Sequence, residues 1–134
     1  MAVDPPCTCT TLRRLARTAT LAYDEILRPT GLRVTQLSVL RTLRGEGPLS
    51  VTRLANEAGL DRSTMGRNLD PLERMGFVVI EVGENDHRER VAKLTAEGEE
   101  AVDAALPYWN AAQAEIARRI STSTIAMLTR QLEA

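Results

Sequence analysis

The apolar positions take up a helical rhythm near the start of the chain. Leu12, Leu15, Ala16, Ala19, Ala22, Tyr23, Ile26 and Leu27 recur in steps of one, three and four, the pattern of one face of an α-helix. Asp4-Pro5-Pro6 reads as an extended lead-in, and Pro29 with Gly31 stops the helix. A second helix is predicted from about Thr35, carrying Leu37, Val39, Leu40 and Leu43 and ending at Gly45, Gly47 and Pro48. Ser50 suits the N-cap of a short third helix through Ala58, which Gly59 breaks. Asp61 or Ser63 caps a fourth, which runs to Met75 and ends at Gly76. Pro71 inside it should kink the helix or tighten its last turn.

The rhythm then changes. Residues 77–82 are short and β-branched, residues 83–86 are turn chemistry, and residues 90–94 form a second strand, which together predict a hairpin. Thr95 caps a long helix whose early Glu97, Glu99 and Glu100 suit its positive end. Its Val102, Ala105, Trp109, Ala112, Ile116 and Ile120 make a stripe fit to pack along another helix. Residues 121–132 read as a last short helix. The order is α-α-α-α-β-β-α-α, a mainly α chain.

At 134 residues the chain fits one domain, with much to gain from a partner subunit. No apolar run approaches the roughly 20 residues of a membrane span. Residues 1–10 lack the basic start and apolar stretch of a signal peptide. No membrane association and a cytoplasmic location are the expectation.

The net charge of −1 does not announce a nucleic-acid binder, but it is unevenly spread. Residues 33–95 hold ten basic side chains against nine acids, whereas residues 96–134 hold three against six. All the cations but Lys93 are Arg, whose planar fork matches phosphates and guanine edges.

Residues 49–75 are the most informative stretch. A helix-turn-helix needs a small residue at the helix crossing and a Gly at the turn, and Ala55 and Gly59 supply them. Met65, Leu69 and Leu72 would form the buried side of the second helix. The other side then shows Arg62, Ser63, Thr64, Arg67 and Asn68, donors and short hydroxyls suited to base edges and phosphates. The hairpin follows at once, making a winged version. Its tip, residues 85–89, projects Arg88 toward a minor groove, with His87 as a DNA-backbone or solvent residue.

These residues resemble the MarR (multiple antibiotic resistance regulator) family of transcription factors. The resemblance rests on residues 60–69 (LDRSTMGRNL), on residues 72–78 (LERMGFV), and on the wing signature Asp86-x-Arg88 followed by Leu94-Thr95 and Glu97-Gly98. Residues 31–36 and 109–113 also look like one branch of the family, and by order of elements the likeness covers about residues 7–132. It implies a single MarR-type domain over residues 1–134, with a winged helix-turn-helix lobe at 33–95 and dimerisation helices at 10–30 and 96–134. It implies a homodimer on a pseudo-palindromic site in double-stranded DNA, a repressor released by a small-molecule or redox signal. Ser63, Thr64, Arg67 and Asn68 would face the major groove, and Arg62 would reach base or phosphate. Arg88 would enter the minor groove, held by Asp86.

Family resemblance also implies an effector pocket between dimer body and DNA-binding lobes. Tyr23, Leu27, Leu37, Leu40, Tyr108 and Trp109 are its candidate liners, although the same spacing also describes plain core. Cys7 and Cys9, the only cysteines, form a Cys-x-Cys pair beside Arg13 and Arg14. Such a pair suits a reactive thiol or soft ligands for Cu(I) or Zn(II). Organic-hydroperoxide sensors of the family carry a single N-terminal Cys, and this chain departs from that pattern. The alternative function is therefore a thiol-based redox or metal-responsive sensor using Cys7 and Cys9, with the helix-turn-helix only as scaffold. No nucleophile elbow, phosphate-binding loop or dinucleotide fingerprint is present. No enzyme activity, cofactor or built-in metal centre is expected.

Overall fold

The computed structural model describes residues 4–133. Helix α1 (Thr8–Leu27) leads into a 3-10 turn, Arg28–Thr30, closed by Gly31 in the left-handed region at φ +75°. Helix α2 (Val34–Glu46) is tied back to α1, because the Asp24 carboxylate accepts the Val34 N–H at 2.8 Å. A two-residue strand β1 (Leu49–Ser50) precedes α3 (Val51–Ala58) and α4 (Arg62–Arg74). Strands β2 (Val78–Val82) and β3 (Arg90–Leu94) form the hairpin, and α5 (Ala96–Arg119) and α6 (Thr122–Leu132) complete the chain.

The sheet order is β1-β3-β2, antiparallel throughout, with Leu49 opposite Ala92 and Val82 opposite Arg90. The predicted hairpin is therefore the larger part of a three-stranded sheet. Strand β1 ties the base of the wing to the start of the helix-turn-helix.

The start of the first helix departs from its expected place for a local reason. Helix α1 begins at Thr8, four residues before the first apolar position, so Cys9 lies in its first turn and Cys7 is its N-cap. The Thr11 hydroxyl donates to the Cys7 carbonyl at 3.0 Å, closing that turn. Helix α2 passes through Gly45 and stops only at Gly47 (φ +81°). Helix α5 continues through Pro107. Helix α4 continues through Pro71, whose carbonyl accepts the Met75 N–H at 2.9 Å, and the turn just after the helix is tight, the Gly76 N–H donating to the Glu73 carbonyl.

Leu37, Leu40 and Leu43 of α2, Leu54 of α3, Met65 and Leu72 of α4 and Val78 of the wing are buried together. That core holds the recognition elements on α2, which in turn packs on α5. The outer helices are different. Leu27 is the only residue of α1 that is buried, and α6 buries none. Leu15 and Leu21 of α1 and Ile125 and Leu132 of α6 stay exposed.

Candidate nucleic-acid interface

Helix α3 starts where the Ser50 hydroxyl accepts the Arg53 N–H at 3.1 Å, and it ends at Gly59, φ +69°. Two residues later Asp61 caps α4 by accepting the Thr64 N–H at 2.8 Å. Of the two candidate caps, Asp61 takes the place and Ser63 enters the helix. The cap continues outward. The Thr64 hydroxyl donates to Asp61 at 3.0 Å and accepts from the Arg67 guanidinium at 3.2 Å. Thr64 therefore fixes Arg67 instead of offering a free hydroxyl. The Thr64 N–H and hydroxyl, in that order, hold the Asp61 carboxyl below its ordinary pKa.

Met65, Leu69 and Leu72 turn inward and are buried. Arg62, Ser63 and Arg67 are exposed, and Thr64 and Asn68 are half-buried. The structure thus brings the five expected polar residues to the outer side of α4.

At the wing, Gly83 donates to the Glu89 carbonyl at 2.9 Å, and Glu89 donates to Asp86 at 3.0 Å. A β-carbon on Gly83 would stand 2.7 Å from the Asp86 carbonyl oxygen, so the turn requires glycine there. The Asp86 carboxylate accepts the Arg88 N–H at 3.0 Å and its Nε at 3.3 Å. The Arg88 side chain is still 93% exposed. It is aimed by one end and free at the other, beside an exposed His87. A neighbour that sequence reasoning passed over, Arg90, donates to the His87 carbonyl at 3.3 Å and braces the same tip.

The wing is locked to α5 by the second half of its signature. The Thr95 hydroxyl donates to the Gly76 carbonyl at 2.6 Å and accepts the Gly98 N–H at 3.0 Å.

Of the six candidate effector liners, Leu27, Leu37 and Leu40 are fully buried together in the core. Tyr23 hydrogen-bonds Gln113 of α5, and burial raises its phenol pKa. Trp109 packs against the core under Arg41. Tyr108 stands apart, lining a shallow cavity of about 660 Å³ with Phe77, Glu97 and Glu100.

Cys7 and Cys9 are free and exposed. The Cys7 sulfur closes no cap hydrogen bond of regular geometry. The Thr10 N–H and hydroxyl, with the Cys9 N–H, nevertheless stand near enough to lower its pKa. Among the described residues no three His, Cys, Asp or Glu side chains cluster as a metal site, and no helix is long and apolar enough to cross a membrane.

A family model described as the MarR family matches residues 32–89. An uncharacterized HTH-type transcriptional regulator of Bacillus subtilis (strain 168), YwoH, is 34% identical over 88 residues. That match takes in 66% of this chain but 64% of the regulator, so the chain spans under two thirds of that curated relative. The transcriptional regulator MosR of M. tuberculosis, solved in complex with DNA, is 36% identical with a TM-score of 0.81, over 96% of this chain and 97% of that one. CouR from Rhodococcus jostii RHA1, solved bound to p-coumaroyl-CoA, is 27% identical with a TM-score of 0.75, over 92% and 86%.

Proposed function

The chain belongs to the MarR family of transcriptional regulators, and we propose that it acts as a homodimeric, sequence-specific DNA-binding repressor. The observation that carries this reading is the pairing of two aimed cationic elements on one rigid lobe. Arg67 is fixed through Thr64 on α4, and Arg88 is held by Asp86 on the wing. Helix α4 reads a major groove with Ser63, Arg67 and Asn68, Arg62 at its start reaches the DNA backbone, and Arg88 enters the adjacent minor groove.

The unpartnered apolar side chains of α1 and α6 support the dimer. Leu15, Leu21, Ile125 and Leu132 are exposed among the described residues, and an isologous pairing of these helices would remove them from water. Two lobes so joined would present two α4 helices to half-sites one turn of DNA apart. The exposed Cys7, with its lowered pKa at the head of α1, favours a thiol as the release signal. A peroxide would oxidise two thiols to a disulfide and would itself be reduced to an alcohol and water, or to two waters from hydrogen peroxide. A small-molecule effector is the other signal of the proposal.

In vitro transcription from the promoter of its own gene tests the reading. Reduced protein is expected to lower the transcript, with one dimer per duplex, and oxidation to restore it. A transcript that stays the same or rises overturns the repressor role. Repression indifferent to oxidation overturns the thiol signal and leaves the small-molecule effector.

A further inference from the structure

Gly66 stands mid-way along α4, where glycine is less favourable than alanine. Nothing inside the protein accounts for it. Its φ is not among the positive ones, and a β-carbon there would meet nothing within 4 Å. The space it leaves opens outward, into a cleft of about 340 Å³ between α4 and the wing.

Arg62 and Ser63 line the same cleft from α4, and Arg90 lines it from β3. Arg90 is anchored at the wing side by its hydrogen bond to the His87 carbonyl. Among the described residues, neither Arg62 nor Arg90 has a carboxylate within 4 Å. Asp70 and Glu73 line the cleft farther along the helix, with Asp70 about 6 Å beyond Gly66 at the helical rise.

With α4 in a major groove and the wing in the next minor groove, the sugar–phosphate strand between those grooves must cross this cleft. We propose that the cleft is the seat of that strand: Gly66 lets it approach the helix closely, and Arg62 and Arg90 clamp a phosphate from opposite walls. Asp70 and Glu73 repel phosphate from the rest of the cleft and so fix the register. The inference rests on the DNA-binding reading and adds Gly66 and Arg90 to its working residues.

The test uses the full chain and a duplex that the wild-type protein selects from a random-sequence pool. Gly66→Ala is expected to raise the melting temperature while lowering affinity about tenfold, two effects that a purely structural glycine would not separate. Arg90→Ala is expected to lower affinity about tenfold and to reduce the slope of log K against log salt by about one. Arg90→Lys should recover most of that slope, because a phosphate accepts either cation. A Gly66→Ala protein that binds like wild type, or an Arg90→Ala protein with an unchanged salt slope, overturns the clamp while DNA binding stands. A wild-type protein that selects no duplex overturns the DNA-binding reading, and the clamp with it.

Discussion

The guanidinium carbon of Arg41 lies 3.9 Å from the centroid of the Trp109 ring. Arg41 sits on α2, in the winged lobe, and Trp109 on α5. Three residues along α2, Arg44 pairs with Asp103 of α5 at 2.7 Å. The lobe is therefore fastened to the long helix by two polar contacts beside the apolar one. Trp109 is the only tryptophan, so its emission reports this junction alone. Arg41→Ala should alter that emission and lower stability by about 0.5–1 kcal/mol in urea denaturation. An unchanged spectrum and midpoint would show that the stacking contributes nothing.

A second junction tolerates less. A β-carbon on Gly98 would stand 2.2 Å from the Phe77 carbonyl oxygen, a backbone atom that also accepts the Thr95 N–H. Gly98→Ala must shift either the wing or the start of α5. A loss of about 2 kcal/mol or more is expected, measured as a fall in the urea midpoint. Retention of wild-type stability would mean that the wing and α5 can separate freely.

At the wing tip, Arg88→Ala should weaken binding to a selected duplex about tenfold without changing the oligomeric state or the circular dichroism spectrum. Asp86→Ala should weaken it less, because the cation remains but is no longer aimed. Combining the two should cost little more than Arg88→Ala alone, since Asp86 acts through Arg88. Additive losses from anisotropy titrations would assign Asp86 a separate role.

The α4 cap makes stability depend on pH. Asp61 has a lowered pKa in the folded chain, chiefly through the Thr64 N–H. Its ionised form therefore contributes stability above the unfolded value of about 4, and that contribution is lost as pH falls through the lowered folded value. Asp61→Asn keeps a cap acceptor but does not titrate. The stability gap between wild type and Asp61→Asn should close as pH falls from about 5 to about 2. A gap that is constant across this range would mean that the carboxylate's charge is irrelevant to the cap.

The parts of the molecule legible in its sequence were those with local signatures. Ser50, Asp61 and Thr95 cap helices because a short side-chain oxygen reaches the next turn's N–H. Gly59 turns the chain because its φ is positive. Met65, Leu69 and Leu72 share a face by spacing alone. Strand β1 was not legible, since two residues carry no period and its partner lies more than forty positions on. The start of α1 was hidden because its cap is a cysteine, outside the preferred cap residues. The spacing of Leu27, Leu37 and Leu40 suits core and pocket alike, since both need the same apolar residues, and their full burial comes only with the fold. Gly66 and Arg90 acquire meaning only when the fold sets α4 beside the wing.

In the proposed complex, two α4 helices and two wings grip one DNA site. The most direct measurement is fluorescence anisotropy of reduced protein on a duplex from upstream of its own gene, at two salt concentrations, against a scrambled duplex. Two chains per duplex are expected, with affinity that falls steeply with salt and at least about a thousandfold preference for the specific sequence. Equal affinity for both duplexes, with no dependence on salt, would contradict it.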